Sequence, residues 1–173
     1  MAAYFNKNKA PDVLLKAWQA IRKKYPDWQL MMLGNGEVDR YKHMSEEMGL
    51  TDSVHFTGYL SGEQKEDYFR KASIYCMCSY EEGFPVVVLE AWSYGICVVT
   101  TPVGGLPDVI EDERNVLVFD FGNWKQLASK LSLLIDDKAK RIELCIQARK
   151  MLENKFSVES VNRQVEKIYS NLQ

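Results

Sequence analysis

Two glutamates eight positions apart are the residues in this sequence that are best suited to chemistry. Glu82 lies in a polar turn with Gly83, directly after an apolar stretch, and Glu90 lies in the apolar segment that follows. Between positions 83 and 107, Glu90 is the only Asp, Glu, Lys or Arg. A carboxylate in such surroundings is costly unless a partner bonds it. Glu90 is therefore a candidate for contact with a cation or a polar ligand.

The residues around the two glutamates predict a strand, a polar turn and a short helix. The apolar run 73–77 is typical of a buried strand, Pro85 stands at the predicted first position of the helix, and Gly95 stands at its end. The first turn of a helix has free N–H groups, and its dipole favours anions. Glu90 then shares a helix face with Val86, one turn earlier.

Two interpretations of Glu90 fit these residues. In the first, Glu90 is a structural carboxylate at a helix edge or in an ion pair with a distant Arg or Lys. In the second, it accepts hydrogen bonds from the hydroxyl groups of a ligand, beside an anion site at the helix start.

Composition narrows the class of protein. The chain has 173 residues, 46% hydrophobic and 27% charged, and a net charge of −2, which is typical of one soluble globular domain, residues 1–173. Such a charge provides no basic field for nucleic acid. The sequence has no signal peptide and no apolar run near the roughly 20 residues that span a bilayer. We predict a cytoplasmic protein without a transmembrane segment.

The spacing of the four cysteines matches no zinc or redox motif, so we predict buried, reduced thiols and neither a disulfide nor a metal. They are Cys76, Cys78, Cys97 and Cys145. Alternation in a strand places the first two on the same face.

Short apolar strands that alternate with amphipathic helices predict an α/β fold. The expected architecture is a Rossmann-like parallel sheet with helices on both faces and a C-terminal helical extension. Ligands bind such sheets at loops beyond the carboxyl ends of the strands. Predicted strands cover 1–5, 28–33, 54–57, 73–77, 97–100 and 116–119, and predicted helices cover 11–24, 37–48, 63–71, 85–95, 123–135, 138–154 and 158–172.

The segment from Ser79 to Gly95 resembles the signature of family 4 glycosyltransferases (glycosyl transferases group 1). These are retaining enzymes of the two-domain GT-B fold that use nucleotide-sugar donors. The resemblance covers nearly the whole chain but only the family's C-terminal, donor-binding half. Further matching segments are Lys9–Leu15, Leu33–Gly36, Val54–Gly58, and Val98–Thr100 with Gly104–Asp108.

The resemblance implies a role for each matching residue. Glu90 would bind the ribose hydroxyls of the donor, Glu82 would lie beside the transferred sugar, and Lys9 would contact the diphosphate. The last two would be the catalytic residues. Amides of the loop and helix start, together with the Gly34-Asn35 turn, would complete the donor site. Those amides belong to Gly83, Phe84, Val86 and Val87, since Pro85 has no N–H.

The same resemblance implies a metal-free site with no cofactor and a UDP-sugar as the donor. The acceptor, a saccharide or a lipid-linked sugar, would be set by an N-terminal acceptor-binding domain that this chain does not include. The isolated domain would be nearly inactive. Any peripheral contact with the inner face of a membrane would come from that other domain.

One residue departs from the family's pattern. Where the family commonly has an Arg five positions before its Lys, this chain has Tyr4, and a phenol does not replace a guanidinium on a diphosphate. Lys7 is a candidate for part of that charge. Two alternatives stay open: a non-catalytic or regulatory domain of the same fold with weakened donor binding, and a sugar-nucleotide epimerase of similar architecture.

Overall fold

The computed structural model describes residues 1–170. Strands and helices alternate up to residue 118, and three helices follow. The strands are β1 (Leu30–Leu33), β2 (Val54–Gly58), β3 (Ile74–Met77), β4 (Cys97–Thr100) and β5 (Leu117–Val118). The helices are α1 (Pro11–Ile21), α2 (Val38–Glu47), α3 (Gly62–Lys71), α4 (Val86–Ser93), α5 (Trp124–Asp136), α6 (Lys138–Phe156) and α7 (Val158–Ser170).

All strand pairs are parallel. β1 pairs with β2, with Leu30 opposite Val54, and β3, β4 and β5 form a three-stranded sheet in that order, with Ile74 opposite Cys97. Parallel strands need helical crossovers that cover both faces of the sheet. The predicted parallel α/β architecture is confirmed.

Successive side chains along β3 pack in different cores, because the sheet has a core on each side. Cys76 and Cys78 pack in one apolar cluster with residues of α1 and α5, whereas Tyr75 and Met77 pack in a second cluster with residues of α4. Successive side chains of a strand point to opposite faces, so each face of β3 is buried under its own layer of helices.

The first five residues do not form the predicted strand. They make two isolated parallel bridges, Ala2 to Leu33 and Phe5 to Gly36, so they follow β1 without joining it as a named strand. On the side of β3, the Tyr75 hydroxyl accepts a hydrogen bond from the Ala2 N–H (3.3 Å) and donates one to the Ala2 carbonyl (3.1 Å). Between the first segment and β3, hydrogen bonds from a side chain thus replace the backbone hydrogen bonds of a paired strand. A cavity of about 510 Å³ lies between β1 and β3.

The C-terminal helical extension is confirmed. Ser157 caps α7, since its hydroxyl accepts a hydrogen bond from the Ser160 N–H (3.1 Å). The predicted end of this helix at position 172 lies outside the described residues. Among the helices of residues 1–170, none combines the length and apolar character that crossing a membrane requires.

The four cysteines are free thiols, and three of them are buried. The sulfurs of Cys76 and Cys78 are 3.8 Å apart, which confirms that they share a face. Burial raises the pKa of Cys97 to about 12, so this thiol stays protonated at neutral pH. Cys145 is only half-buried, because it lies on α6 near the surface, and the prediction of full burial was wrong for it.

Tyr75→Phe tests the contact that replaces a backbone ladder. The substitution leaves the Ala2 N–H and carbonyl without their partner, so we expect the free energy of unfolding to fall by about 1–3 kcal/mol. Urea denaturation measures this loss. Tyr169→Phe is the matched control, because that ring is 68% exposed. Equal stability of the two variants would contradict a role for the hydroxyl.

Candidate active site

An ion pair joins two loops at the carboxyl ends of the strands. Lys9 Nζ lies 2.6 Å from Glu82 Oε1, and the two side chains are only 22% and 17% exposed. Lys9 follows the first segment of the chain, and Glu82 follows β3. Because these two stretches end at the same edge of the fold, residues 73 positions apart meet there. The structure therefore brings together the two residues that were predicted to be catalytic.

Further hydrogen bonds fix the Glu82 turn in place. The Ser79 hydroxyl donates to Glu82 Oε1 (2.7 Å), and the buried Thr101 hydroxyl donates to the Ser79 carbonyl (2.6 Å). On the other side, the Tyr80 N–H donates to the Asn8 carbonyl (2.8 Å). The Glu82 carboxylate thus accepts two hydrogen bonds at one oxygen, from a cation and from a hydroxyl.

The start of α4 presents free backbone donors beside this ion pair. α4 begins one residue later than predicted: Pro85 is its N-cap, with φ −79° and ψ 86°, because its backbone is not yet helical. The Val86 N–H donates to the Phe84 carbonyl (2.9 Å). Within residues 1–170, the N–H groups of Gly83, Phe84 and Val87 donate to no protein acceptor. Such donors at a helix N-terminus suit an anion.

Glu90 lies one turn into α4 and is held by a lysine from a different helix. Lys65 of α3 places its Nζ 2.6 Å from Glu90 Oε1 and 2.7 Å from Oε2. The two side chains are 29% and 30% exposed, so solvent reaches both. The ion pair left open by the sequence is therefore present, and it occurs at a site that a ligand can also reach.

An open cleft of about 470 Å³ separates α4 from the turn after β1. This volume lies within the range of small-molecule sites. Of the predicted site residues, the cleft is lined by Gly34, Asn35, Val87 and Glu90, and other parts of its wall are formed by Tyr4, Tyr59 and Lys65. The remaining predicted residues lie outside its wall, on the neighbouring loops and at the start of α4: Lys9, Glu82, Gly83, Phe84 and Val86.

Two glycines are required by close approach of the chain to itself. At Gly34 (φ +145°), a Cβ would lie 1.7 Å from the Ala3 carbonyl oxygen, and at Gly104 (φ +62°) it would lie 2.2 Å from the Gly83 carbonyl oxygen. Both glycines therefore allow neighbouring loops of the site to pack together.

Three site residues were missed by sequence reasoning: Lys65, Tyr59 and Ser79. Lys65 belongs to a helix with six charged residues among ten, so its type and spacing do not distinguish it. Tyr59 is 70% exposed beside the cleft, and the only signal for it is its position directly after the Gly58 that ends β2. Ser79 lies three residues before Glu82, a spacing that permits the hydrogen bond.

These features define an α/β domain with a cleft at the carboxyl ends of its strands and an ion pair in the wall of that cleft. The family of glycosyl transferases group 1 matches residues 1–151. The chain therefore belongs to this glycosyltransferase family. It is 32% identical over 152 residues to an uncharacterised glycosyltransferase of Haemophilus influenzae, covering 87% of this chain and 42% of that protein. It is 30% identical over 172 residues to a D-inositol 3-phosphate glycosyltransferase of Corynebacterium jeikeium, covering 95% and 41%.

Solved structures agree on the fold. The chain superposes with a TM-score of 0.82 on the C-terminal domain of the glycosyl transferase LpcC from Francisella tularensis, with 24% identity, covering 89% of this chain and 83% of that one. For Anabaena HepE in complex with UDP, the TM-score is 0.87 and the identity 20%, covering 98% and 47%. The fold is that of the C-terminal half of a GT-B glycosyltransferase. The chain spans about two fifths of the length of these two curated relatives.

Gly104→Ala tests whether close packing positions the Glu82 turn. Gly95 is the matched control, since its φ of +69° is similar but a Cβ there meets no atom within 4 Å. We expect Gly104→Ala to destabilise the fold by about 1–3 kcal/mol more than Gly95→Ala, the typical cost of overpacking. Urea denaturation measures the difference, and amide NMR shifts of Gly83 and Phe84 report the displaced turn. If the amides of Gly83 and Phe84 shift in Gly95→Ala but not in Gly104→Ala, close packing at Gly104 does not position the Glu82 turn.

Proposed function

We propose that this chain is the donor-binding domain of a retaining glycosyltransferase and that its donor is a UDP-sugar. Together with an N-terminal acceptor-binding domain, it would transfer the sugar to a saccharide or lipid-linked acceptor with retention of anomeric configuration. The observation that carries the proposal is the placement of one carboxylate–lysine pair in the wall of the cleft and of a second pair with free backbone donors beside it.

The nucleotide would occupy the cleft between α4 and the turn after β1. Glu90 is a suitable acceptor for vicinal ribose hydroxyls, because its two oxygens accept hydrogen bonds and solvent reaches them. The cleft also has the Gly34-Asn35 turn in its wall, opposite α4. A nucleoside lying in this cleft would direct its phosphates towards the first turn of α4.

The diphosphate and the sugar would lie at the start of α4. The N–H groups of Gly83, Phe84 and Val87 are available for phosphate oxygens or sugar hydroxyls, and Lys9 would offset the negative charge that develops on the leaving diphosphate. Glu82 would contact the transferred sugar. In this arrangement backbone donors and a lysine stabilise the leaving group without a metal or cofactor.

The choice of UDP as the nucleotide rests on solved structures of the same fold and not on residues of this sequence. Solved structures of the same fold include complexes with UDP, among them Anabaena HepE and Staphylococcus aureus TarM. Nothing in the wall of the cleft identifies the sugar. A protein with these properties would act in the cytoplasm, where nucleotide sugars would be the available donors.

A non-catalytic domain with weakened donor binding is the second candidate, and Tyr4 is the observation that favours it. The Tyr4 ring is 59% exposed and lines the cleft at the position where the family commonly has an Arg. A phenol cannot form the paired, charge-assisted hydrogen bonds that a guanidinium makes with phosphate. In this reading the fold would be kept while affinity for the diphosphate was reduced.

Calorimetric titration of the chain with UDP, GDP and ADP tests the proposal. We expect saturable binding of UDP, and we expect Glu90→Ala to weaken it by about tenfold or more, because a carboxylate that accepts ribose hydroxyls is lost. Glu153→Ala is the matched control: Glu153 also pairs with a basic residue, Arg149 (2.6 Å), but it lies on α6 away from the cleft.

Two other results of this titration are informative. UDP binding that survives Glu90→Ala would contradict the ribose contact, and absence of UDP binding would support the non-catalytic domain. Incubation with UDP-glucose, without an acceptor, examines the epimerase alternative. Conversion to UDP-galactose would establish that alternative and overturn transfer as the function.

A further inference from the structure

The charges of the cleft are balanced in a way that a diphosphate would disturb. Among the described residues of its wall, Lys65 and Glu90 are the charged ones, and they neutralise each other. Beside the cleft, Lys9 and Glu82 form a second neutral pair. A nucleoside diphosphate that enters brings at least two negative charges. If either of these two pairs is to supply a cation to the phosphates, that cation must change its partner.

Lys65 is the cation placed to make that change. Its ammonium group lies between the two oxygens of Glu90, and it also lies 5.1 Å from the centre of the Phe69 ring on the same helix. The ammonium is carried on a flexible four-carbon stem, and about a third of the side chain is exposed. Val87, from the first turn of α4, lines the same cleft. Lys65 thus contacts the carboxylate and lines the same cleft as Val87, one of the residues with a free backbone donor.

We propose that Lys65 exchanges partners when the donor binds: the ribose hydroxyls replace it on Glu90, and its ammonium group moves to the diphosphate. This inference rests on the proposed function, and it assigns Lys65 to the charge that Tyr4 does not supply. Lys65 would then have two roles. It holds Glu90 in the empty site, and it neutralises phosphate in the occupied one.

The exchange keeps every charged group bonded at both stages. Without ligand, Glu90 accepts hydrogen bonds from Lys65, so neither group is left without a partner in a partly buried site. With ligand, two hydroxyl donors replace the ammonium on the carboxylate. The released ammonium then meets phosphate oxygens, which bear more charge than a single carboxylate and bind cations strongly.

Competition for Glu90 makes a distinctive prediction about Lys65→Met. Lys65 competes with ribose for the carboxylate but assists the diphosphate. We expect Lys65→Met to weaken UDP binding by about tenfold, the size of a lost charge-assisted hydrogen bond. Uridine, which has the ribose but no phosphate, should bind this variant as tightly as it binds the unchanged chain, or more tightly. Calorimetry with UDP and ligand-observed NMR with uridine measure the two affinities.

Three variants make the comparison specific. Lys65→Arg retains the charge and should recover part of the UDP affinity. Lys7→Met removes the exposed lysine that the sequence offers as another replacement for the Arg, and it should leave the ratio of the two affinities unchanged. Lys24→Met removes a lysine whose carboxylate partner, Asp136 (2.7 Å), is remote from the cleft, and it should have no effect on either ligand.

Several results would overturn the exchange. Equal weakening of UDP and uridine in Lys65→Met would mean that Lys65 only positions Glu90. Unchanged UDP binding in that variant would mean that the phosphates do not contact Lys65, and a loss confined to Lys7→Met would assign the charge to Lys7. If the unchanged chain binds neither ligand, the proposed function itself fails, which is a result distinct from the others.

Discussion

The contact between Lys9 and Glu82 is the interaction on which the geometry of the site depends. It ties the loop after the first segment to the loop after β3, and it is largely shielded from solvent. Removing one partner of a shielded pair leaves a charge without compensation, so the two residues are constrained together. Because Ser79 donates to the same carboxylate and accepts from Thr101, the constraint extends to the strand end of β4. The start of α4 is positioned as a consequence.

Backbone conformation reinforces this arrangement on both sides of the ion pair. Ala10, directly after Lys9, has φ +48°, a left-handed conformation that is unfavourable for a residue with a Cβ. Gly104 has φ +62° and lies against the carbonyl of Gly83. The lysine and the glutamate therefore each adjoin a backbone feature that fixes the direction of the chain. Rigid support of this kind is what a site needs if it is to present donors before the ligand arrives.

Much of this fold could be predicted from hydrophobic periodicity, because buried parallel strands and amphipathic helices leave strong patterns. The run before Glu82 formed β3, and Glu90 lies on the helix that was predicted for it. The division into two sheets could not be predicted, since the contact between them that runs from the Tyr75 hydroxyl to the backbone of Ala2 joins residues 73 positions apart. The start of α4 was misplaced by one residue, because proline is compatible with both the N-cap and the first turn.

Only part of the candidate site could be predicted from the sequence, because some of its residues are identified only by contacts between distant segments. Glu90 stands out because its neighbours are apolar and a carboxylate there needs an explanation, whereas Glu82 was identified by the resemblance of its segment to the family's signature. Lys65 does not stand out, because it lies among the solvated charges of α3 and only the packing of α3 against α4 gives it a partner. The local sequence pattern can therefore identify Glu90, but only the three-dimensional structure identifies Lys65 as its partner.

The presence of a carboxylate in a cleft suited to anions is itself a physical constraint. At a separation of about 8 Å and an effective dielectric constant of about 20, two like unit charges repel by roughly 2 kcal/mol, so an unpaired Glu90 would oppose a diphosphate nearby. In the empty cleft Lys65 balances the charge of Glu90, as Lys9 balances that of Glu82 at the turn. A carboxylate that accepts hydroxyl groups can therefore lie beside a phosphate site only when a lysine nearby balances its charge. This requirement links α3 to α4 and to the first loop of the chain, and it explains why the polar groups of the site occur in pairs.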